Sequence, residues 1–208
     1  MGGKIVWLPT LAAENHLRWQ ETASFAHPGV GKTSRAVTPV RVTEGAQVRD
    51  DMKEILDIVA STDMVLAAGH LHVSEIWLVF EEAKRRGVTR LLVNHPEEVI
   101  DASLNDVKGL AALGACIEHS MSLFVEGSRF KLFDEEQLRA QIDAAGTDST
   151  ILCSDLGQVK NIDPVEGLAQ GIRMCIALGY ADDEIRKMVS TNAARLFGIE
   201  DDLSGAPN

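Results

Sequence analysis

The stretch VLAAGHLH at 65–72 runs an apolar segment into a glycine and then sets His70 and His72 on either side of a leucine. A His-x-His pair is a weak metal signal by itself, because the local backbone must aim both rings at one point. The rest of the chain repeats the arrangement with other polar residues. Apolar, β-branched runs at KIVWL, MVLAA, RLLVN, ACIE and TILCS end at or beside Thr10, His70, Asn94 with His95, Glu118 with His119, and Ser154 with Asp155. Neutral imidazoles together with a carboxylate suit a divalent transition metal such as zinc. Any one of these residues has a plainer reading as a satisfied polar group at a strand end. Histidine, histidine and aspartate at equivalent points of three separate runs make a metal centre the sharper reading.

The elements that would position them follow from patterning. The apolar runs lack period-2 alternation, which suits strands buried on both faces, as in a parallel sheet covered by helices. Helical spacing fills the intervals at Asp50–Ala60, Ser74–Arg86, Ser103–Leu113, Asp134–Ala145 and Asp163–Leu178, and Gly87, Gly114, Gly146 and Gly179 then act as stops. Asp182 is expected to cap a last helix reaching about Phe197. Strand and helix thus alternate about five times, the signature of an α/β fold with parallel strands, whose sites lie at the C-terminal strand ends. The long connection at 10–49 holds Asn15, His16, a Gly-rich turn and a candidate hairpin in Thr38–Val48. A single domain is expected over 1–199, with 200–208 a flexible tail.

Composition narrows the functional classes. The chain has 208 residues, 45% hydrophobic and 25% charged, with a formal net charge of −11. That charge argues against nucleic acid and against an anionic membrane surface as partners. No apolar run approaches the ~20 residues a membrane span requires. MGGKIVWLPT is too short in apolar residues for a signal-peptide core. Cys116, Cys153 and Cys175 are sparse and odd in number, which suggests reduced thiols and a cytoplasmic setting; small buried hydrophobes is their plain reading.

The motifs LAAGHLHVSE, LLVNHPEE, GACIEHS, ILCSDLGQVKNIDPVEGL and MVSTNAARLFGI, in that order, resemble the C-terminal part of an amidohydrolase-superfamily metal-dependent hydrolase, and more narrowly an uncharacterised amidohydrolase-like TIM-barrel group. The resemblance covers nearly the whole chain. It implies a partial TIM-like barrel of about five strands, incomplete at its N-terminal side, with a C-terminal helix. It makes His70 and His95 metal ligands from the fifth and sixth barrel strands. Asp155 becomes the eighth-strand aspartate that binds metal and takes a proton from the attacking water. Glu118 and His119 would close the seventh strand, and with His16 and Gln158 are expected to face substrate. The superfamily's own His-x-His belongs to its first strand, so GHLH is a look-alike. His70 is the ligand candidate, and His72 is read as entering the next helix at its N-terminus.

The implied activity is hydrolysis of an amide, lactone or related C–N or C–O bond of a small molecule, with zinc, manganese or iron as cofactor. On this mapping strands one to three, with the histidine pair they carry, are missing. Five strands leave two bare edges and an uncovered interior. The expected explanations are a truncated piece, a second chain that completes the barrel, or self-assembly into a homo-oligomer. The alternative function is a catalytically incomplete subunit.

Three other segments carry weaker signals. HPGVGKTS imitates a phosphate-binding loop, but Ala26 stands where the first glycine belongs and no strand feeds it, so it reads as a loop over the strand ends. ENHLRWQ brings His16 near the expected site, with a helix-surface histidine as the plainer alternative. SDLGQ sets an aspartate and a turn-permitting glycine after a buried strand, which suits a base beside a metal; a turn or capping aspartate is the bland reading.

Overall fold

The computed structural model describes residues 2–22 and 37–199. The loop at 27–34 and the tail at 200–208 lie outside them. The chain divides into two compact units, Met1–Ala102 and Ser103–Asn208.

In the first unit, β1 (Ile5–Trp7), β4 (Val65–Ala67) and β5 (Leu91–Asn94) form parallel ladders in the order β1-β4-β5. Every residue of β4 and β5 is buried, as runs without alternation require. Helix α1 (Glu14–Thr22) follows β1, α2 (Asp50–Ser61) precedes β4, and α3 (Val73–Arg85) joins β4 to β5. The candidate hairpin is present as β2 (Thr43–Glu44) and β3 (Gln47–Val48), antiparallel about Gly45 and Ala46. Arg86 ties α2 to α3, with 2.8 Å bonds to Asp57 and a 2.5 Å bond to the buried Glu82.

In the second unit, α4 (Leu104–Ala112) leads into β6 (Ala115–Ser120), and α5 (Glu135–Ala145) leads into β7 (Thr150–Cys153), which pairs parallel with β6. Helix α6 (Pro164–Ala177) follows. Ser103, Asp134 and Asp163 each accept backbone N–H bonds as N-caps, so these helices begin one residue after the polar residue that signals them. Two glycines of α6 let the chain come close: a Cβ on Gly167 would meet the Leu156 side chain at 2.0 Å, and one on Gly171 the Met121 sulfur at 2.5 Å. Leu156, 2% exposed, pins the loop that carries Asp155.

One element departs from expectation. The last helix is not continuous, and it starts with Asp182 inside it and Ala181 at the cap position. It runs as α7 (Asp182–Arg186), a π-helical turn Lys187–Thr191, and α8 (Asn192–Phe197). The wider turn rephases the helix. Just after it, the fully buried Asn192 donates to Thr147 O (2.8 Å) and Thr150 O (2.7 Å), holding the start of β7. No helix of the described residues is long and apolar enough to cross a membrane.

Candidate functional site

Three histidines meet in the first unit. His70 follows β4 after Ala68 and Gly69, and His95 follows β5 directly. Their rings lie 5.2 Å apart between centroids and edge-on, at 71°. His16, from α1, stacks on His70 with centroids 4.7 Å apart, and the two Nδ1 atoms are 2.7 Å apart. His16 is fully buried, so the helix-surface alternative for it does not hold.

The backbone sets these rings in place through two local devices. Gly69 has φ +61°, and a Cβ there would lie 2.4 Å from Leu8 O and 2.6 Å from Pro9 O. No side chain fits, because the obstacles are rigid backbone atoms. The resulting close approach lets the His70 N–H donate to Pro9 O at 3.0 Å. His95 itself has φ +51°, a left-handed conformation that non-glycine residues adopt at a cost, and which clusters where a side chain must be aimed.

Helix α1 presents Asn15, His16, Trp19 and Gln20 as one face, the i, i+1, i+4, i+5 set. The Asn15 amide donates to His70 O (3.1 Å) and Val99 O (2.6 Å), clamping the turns after β4 and β5 together. The Gln20 side-chain amide meets His16 Nε2 at 2.6 Å. The Trp19 ring packs 5.4 Å from His16. Burial pushes the Glu98 carboxyl above its ordinary range, while a hydrogen bond from Trp19 pulls it back. Gln20 and Glu98 went unrecognised in the sequence, and Asn15 carried no role there. The signal for Asn15 and Gln20 was the i, i+5 spacing in ENHLRWQ; Glu98 had only its place in NHPEE.

His72 takes another part. Its Nδ1 accepts the Ser74 N–H at 3.2 Å as N-cap of α3, with Glu75 reaching back to its own N–H, and its Nε2 lies 3.6 Å from Asp101. The opening pair is one buried-side histidine and one helix cap.

In the second unit, Asp155 sits just past β7 with φ +47°, exposed. Ser122 Oγ approaches its carboxylate at 3.5 Å, and the Gln158 amide approaches at 3.4 Å while donating to Asp155 O at 3.1 Å. Asn161 in turn donates to Gln158 at 2.7 Å. Gln158 thus belongs to the hydrogen-bond shell of Asp155. Glu118 and His119 lie inside β6, on opposite faces by strand alternation, and His119 is fully buried. Burial drives the Cys153 thiol well above its usual value, and the charge of Glu118 adds to the shift. Cys116 and Cys175 are buried and also shifted up by desolvation, Cys175 to about 11, so both are inert hydrophobes.

As for a metal, the donor chemistry fits in its first two members. Two imidazoles on one tetrahedral zinc, each with Zn–N of about 2.0–2.1 Å, put their ring centroids about 5 Å apart, as His70 and His95 are. Among the described residues, no group of three His, Cys, Asp or Glu side chains is arranged to hold an ion.

Comparison with solved structures gives the fold. A zinc-bound amidohydrolase from Burkholderia multivorans superposes with a TM-score of 0.55 at 16% identity, over 72% of this chain and 58% of that one. A metallopeptidase from Rhodobacter sphaeroides, liganded with a phosphinate mimic of the dipeptide L-Ala-D-Ala, gives 0.55 at 18% identity, over 74% and 47%. The chain spans about half the length of the structures it matches. Its class is therefore α/β with parallel βα units, a partial TIM-like barrel of five strands of the kind found in amidohydrolases. Residues 1–118 match a family of unknown function, DUF6282, and the chain belongs to that family. No curated protein matches it.

Proposed function

We propose that the chain is the site-bearing part of a metal-dependent hydrolase acting on an amide, lactone or related C–N or C–O bond of a small molecule. The observation that carries this reading is the His70–His95 pair, held edge-on at the spacing of two imidazoles on one ion. Both solved structures named above that share the fold are metal enzymes by their descriptions: one is zinc-bound, the other a metallopeptidase. A bound divalent ion would polarise the scissile bond and bring the pKa of water toward ~7. Zinc suits the donors best, and manganese or iron accept the same types.

The remaining roles fall to this chain's own residues. His70 and His95 are the imidazole ligands. Asp155 is the carboxylate that takes the water proton and returns it to the leaving group. Ser122 and Gln158 hold that carboxylate without neutralising it, since both are uncharged. Glu118 orients substrate.

The test is zinc bound per chain, measured by equilibrium dialysis and elemental analysis. We expect near one ion for the wild type and loss of most binding in His70→Ala and His95→Ala. Wild-type binding unchanged by either substitution overturns the assignment. Asp155→Asn keeps the left-handed φ, which asparagine tolerates, so it should fold normally and hydrolyse nothing. A turnover near wild type removes Asp155 from the reaction.

A second reading is favoured by the lack of a three-donor group among the described residues. In it the chain forms a complete centre only with a partner chain or a second copy. Light scattering beside the zinc titration separates the two: binding that appears only with association supports the second.

A further inference from the structure

In the second unit the loops after β6 and β7 are tied together, and the tie sets a cation beside the Asp155 loop. Asn161 Oδ1 accepts the Arg129 backbone N–H at 2.9 Å. The Asn161 amide donates to the Gln158 side chain, and the Gln158 amide reaches Asp155. Gly127, at φ +79°, lies so close to the second loop that a Cβ on it would come 2.4 Å from Ile162 Cγ2. The Arg129 side chain is exposed. Among the described residues its guanidinium makes one hydrogen bond, a long one of 3.4 Å from Nη1 to Val159 O, and no ion pair. Nearby cations differ: Lys131 pairs with Glu126, and Arg173 pairs with Glu166 at 2.6 Å. Lys160, left-handed at φ +71°, adds a second exposed cation to the loop that carries Asp155.

A guanidinium carries five N–H donors in a planar fork that matches a carboxylate. Arg129 engages one of them, weakly, so the fork is open to an acceptor from outside. The neutral side chains of Gln158 and Asn161 link its loop to Asp155 without pairing the two charges. A direct pair would favour the ionised form of Asp155 and weaken it as a base. The chain's net charge of −11 repels anions at long range, so an anionic substrate needs a local cation to hold it. We propose that Arg129 is a specificity-determining residue: it receives a carboxylate of the substrate while Asp155 serves the bond to be cut. The substrate class is then a small amide or lactone that bears its own carboxylate a few bonds from the scissile carbonyl. The inference rests on the reading of Asp155 as the reacting carboxylate.

The experiment is a 15N–1H titration of the full chain with succinamate, which has one carboxylate and one amide, and with succinamide, its neutral counterpart. The signals followed are the backbone amides of Arg129 and Val159 and the side-chain amides of Gln158 and Asn161. Succinamate should shift them saturably, and succinamide should not. Arg129→Gln keeps the backbone N–H that bonds Asn161, so the loops stay tied. It should weaken succinamate binding about fivefold or more, the upper range for an exposed ion pair. Arg129→Lys keeps the charge but loses the fork, and should fall between the two. Equal shifts with succinamide, or Arg129→Gln binding within about twofold of wild type in a chain with native circular dichroism, overturn the proposal. Zinc per chain, measured in parallel, separates the two readings. Succinamate binding that depends on Arg129 in a chain that takes up no zinc refutes the metal-dependent hydrolase and leaves the carboxylate site in place. Zinc uptake without a succinamate-specific shift does the reverse.

Discussion

The left-handed backbone at His95 makes a prediction of sign. Consider His95→Ala and His95→Gly. Both remove the imidazole and whatever it contacts, so those losses cancel between them. At an ordinary helical or extended position alanine is the more stable choice, by about 0.5–1 kcal/mol, because glycine has more freedom to lose. At φ +51° the order reverses. A Cβ in the left-handed region costs about 1–2 kcal/mol, which glycine does not pay. The difference leaves His95→Gly more stable than His95→Ala by up to about 1.5 kcal/mol, centred on about 0.75 kcal/mol. For a chain of this length about 1 kcal/mol corresponds to about 2–4 °C in Tm, well within what calorimetry resolves. The assay is calorimetry and urea unfolding of both variants, metal-free, so that ligand binding contributes nothing. An alanine variant equal to or more stable than the glycine variant refutes the claim that His95 is held in a strained conformation.

Gly69→Ala sets a Cβ against the carbonyls of Leu8 and Pro9, at 2.4 and 2.6 Å, and adds the left-handed cost. A loss above about 2 kcal/mol is expected, with weakened zinc binding as His70 shifts; a variant with wild-type Tm contradicts the close approach. Asn15→Ala strips the clamp from His70 O and Val99 O. About 2 kcal/mol should be lost, read by urea unfolding, and Asn15→Asp should not restore it because a carboxylate cannot donate. Glu98→Gln tests linkage. The folded carboxyl is raised above its ordinary value by burial, so the folded state holds the proton longer than the unfolded one. Stability is therefore lost as pH rises from the unfolded pKa through the folded one. The glutamine variant should match the wild type in acid and exceed it at neutral pH; parallel stability–pH curves would show that the shift is absent.

Much of the local structure was legible, because its causes are local. Ser103, Asp134 and Asp163 announced helix starts by being short acceptors before apolar-periodic segments, and each does cap. A hairpin was a candidate in Thr38–Val48 and is present there, and β4 and β5 were readable from apolar runs that never alternate. The last helix misled because its periodicity is continuous in sequence; the π turn at Lys187–Thr191 accompanies the distant carbonyls of Thr147 and Thr150 that Asn192 reaches.

The strand-end histidines and aspartate were visible as residue types at equivalent points of a repeating pattern, and that much the amino-acid order determines unaided. What the fold alone decided is which of them act together. His16 carried two readings, facing substrate or lying on a helix surface, and α1 buries it by laying its Asn15, His16 and Gln20 face over the turns after β4 and β5. His72 read from the sequence as entering the next helix, and its ring caps α3. Capping, periodicity and turns are written within a few residues of where they act. A contact spanning fifty-four residues depends on how separate elements pack, and no stretch of the chain by itself encodes that packing.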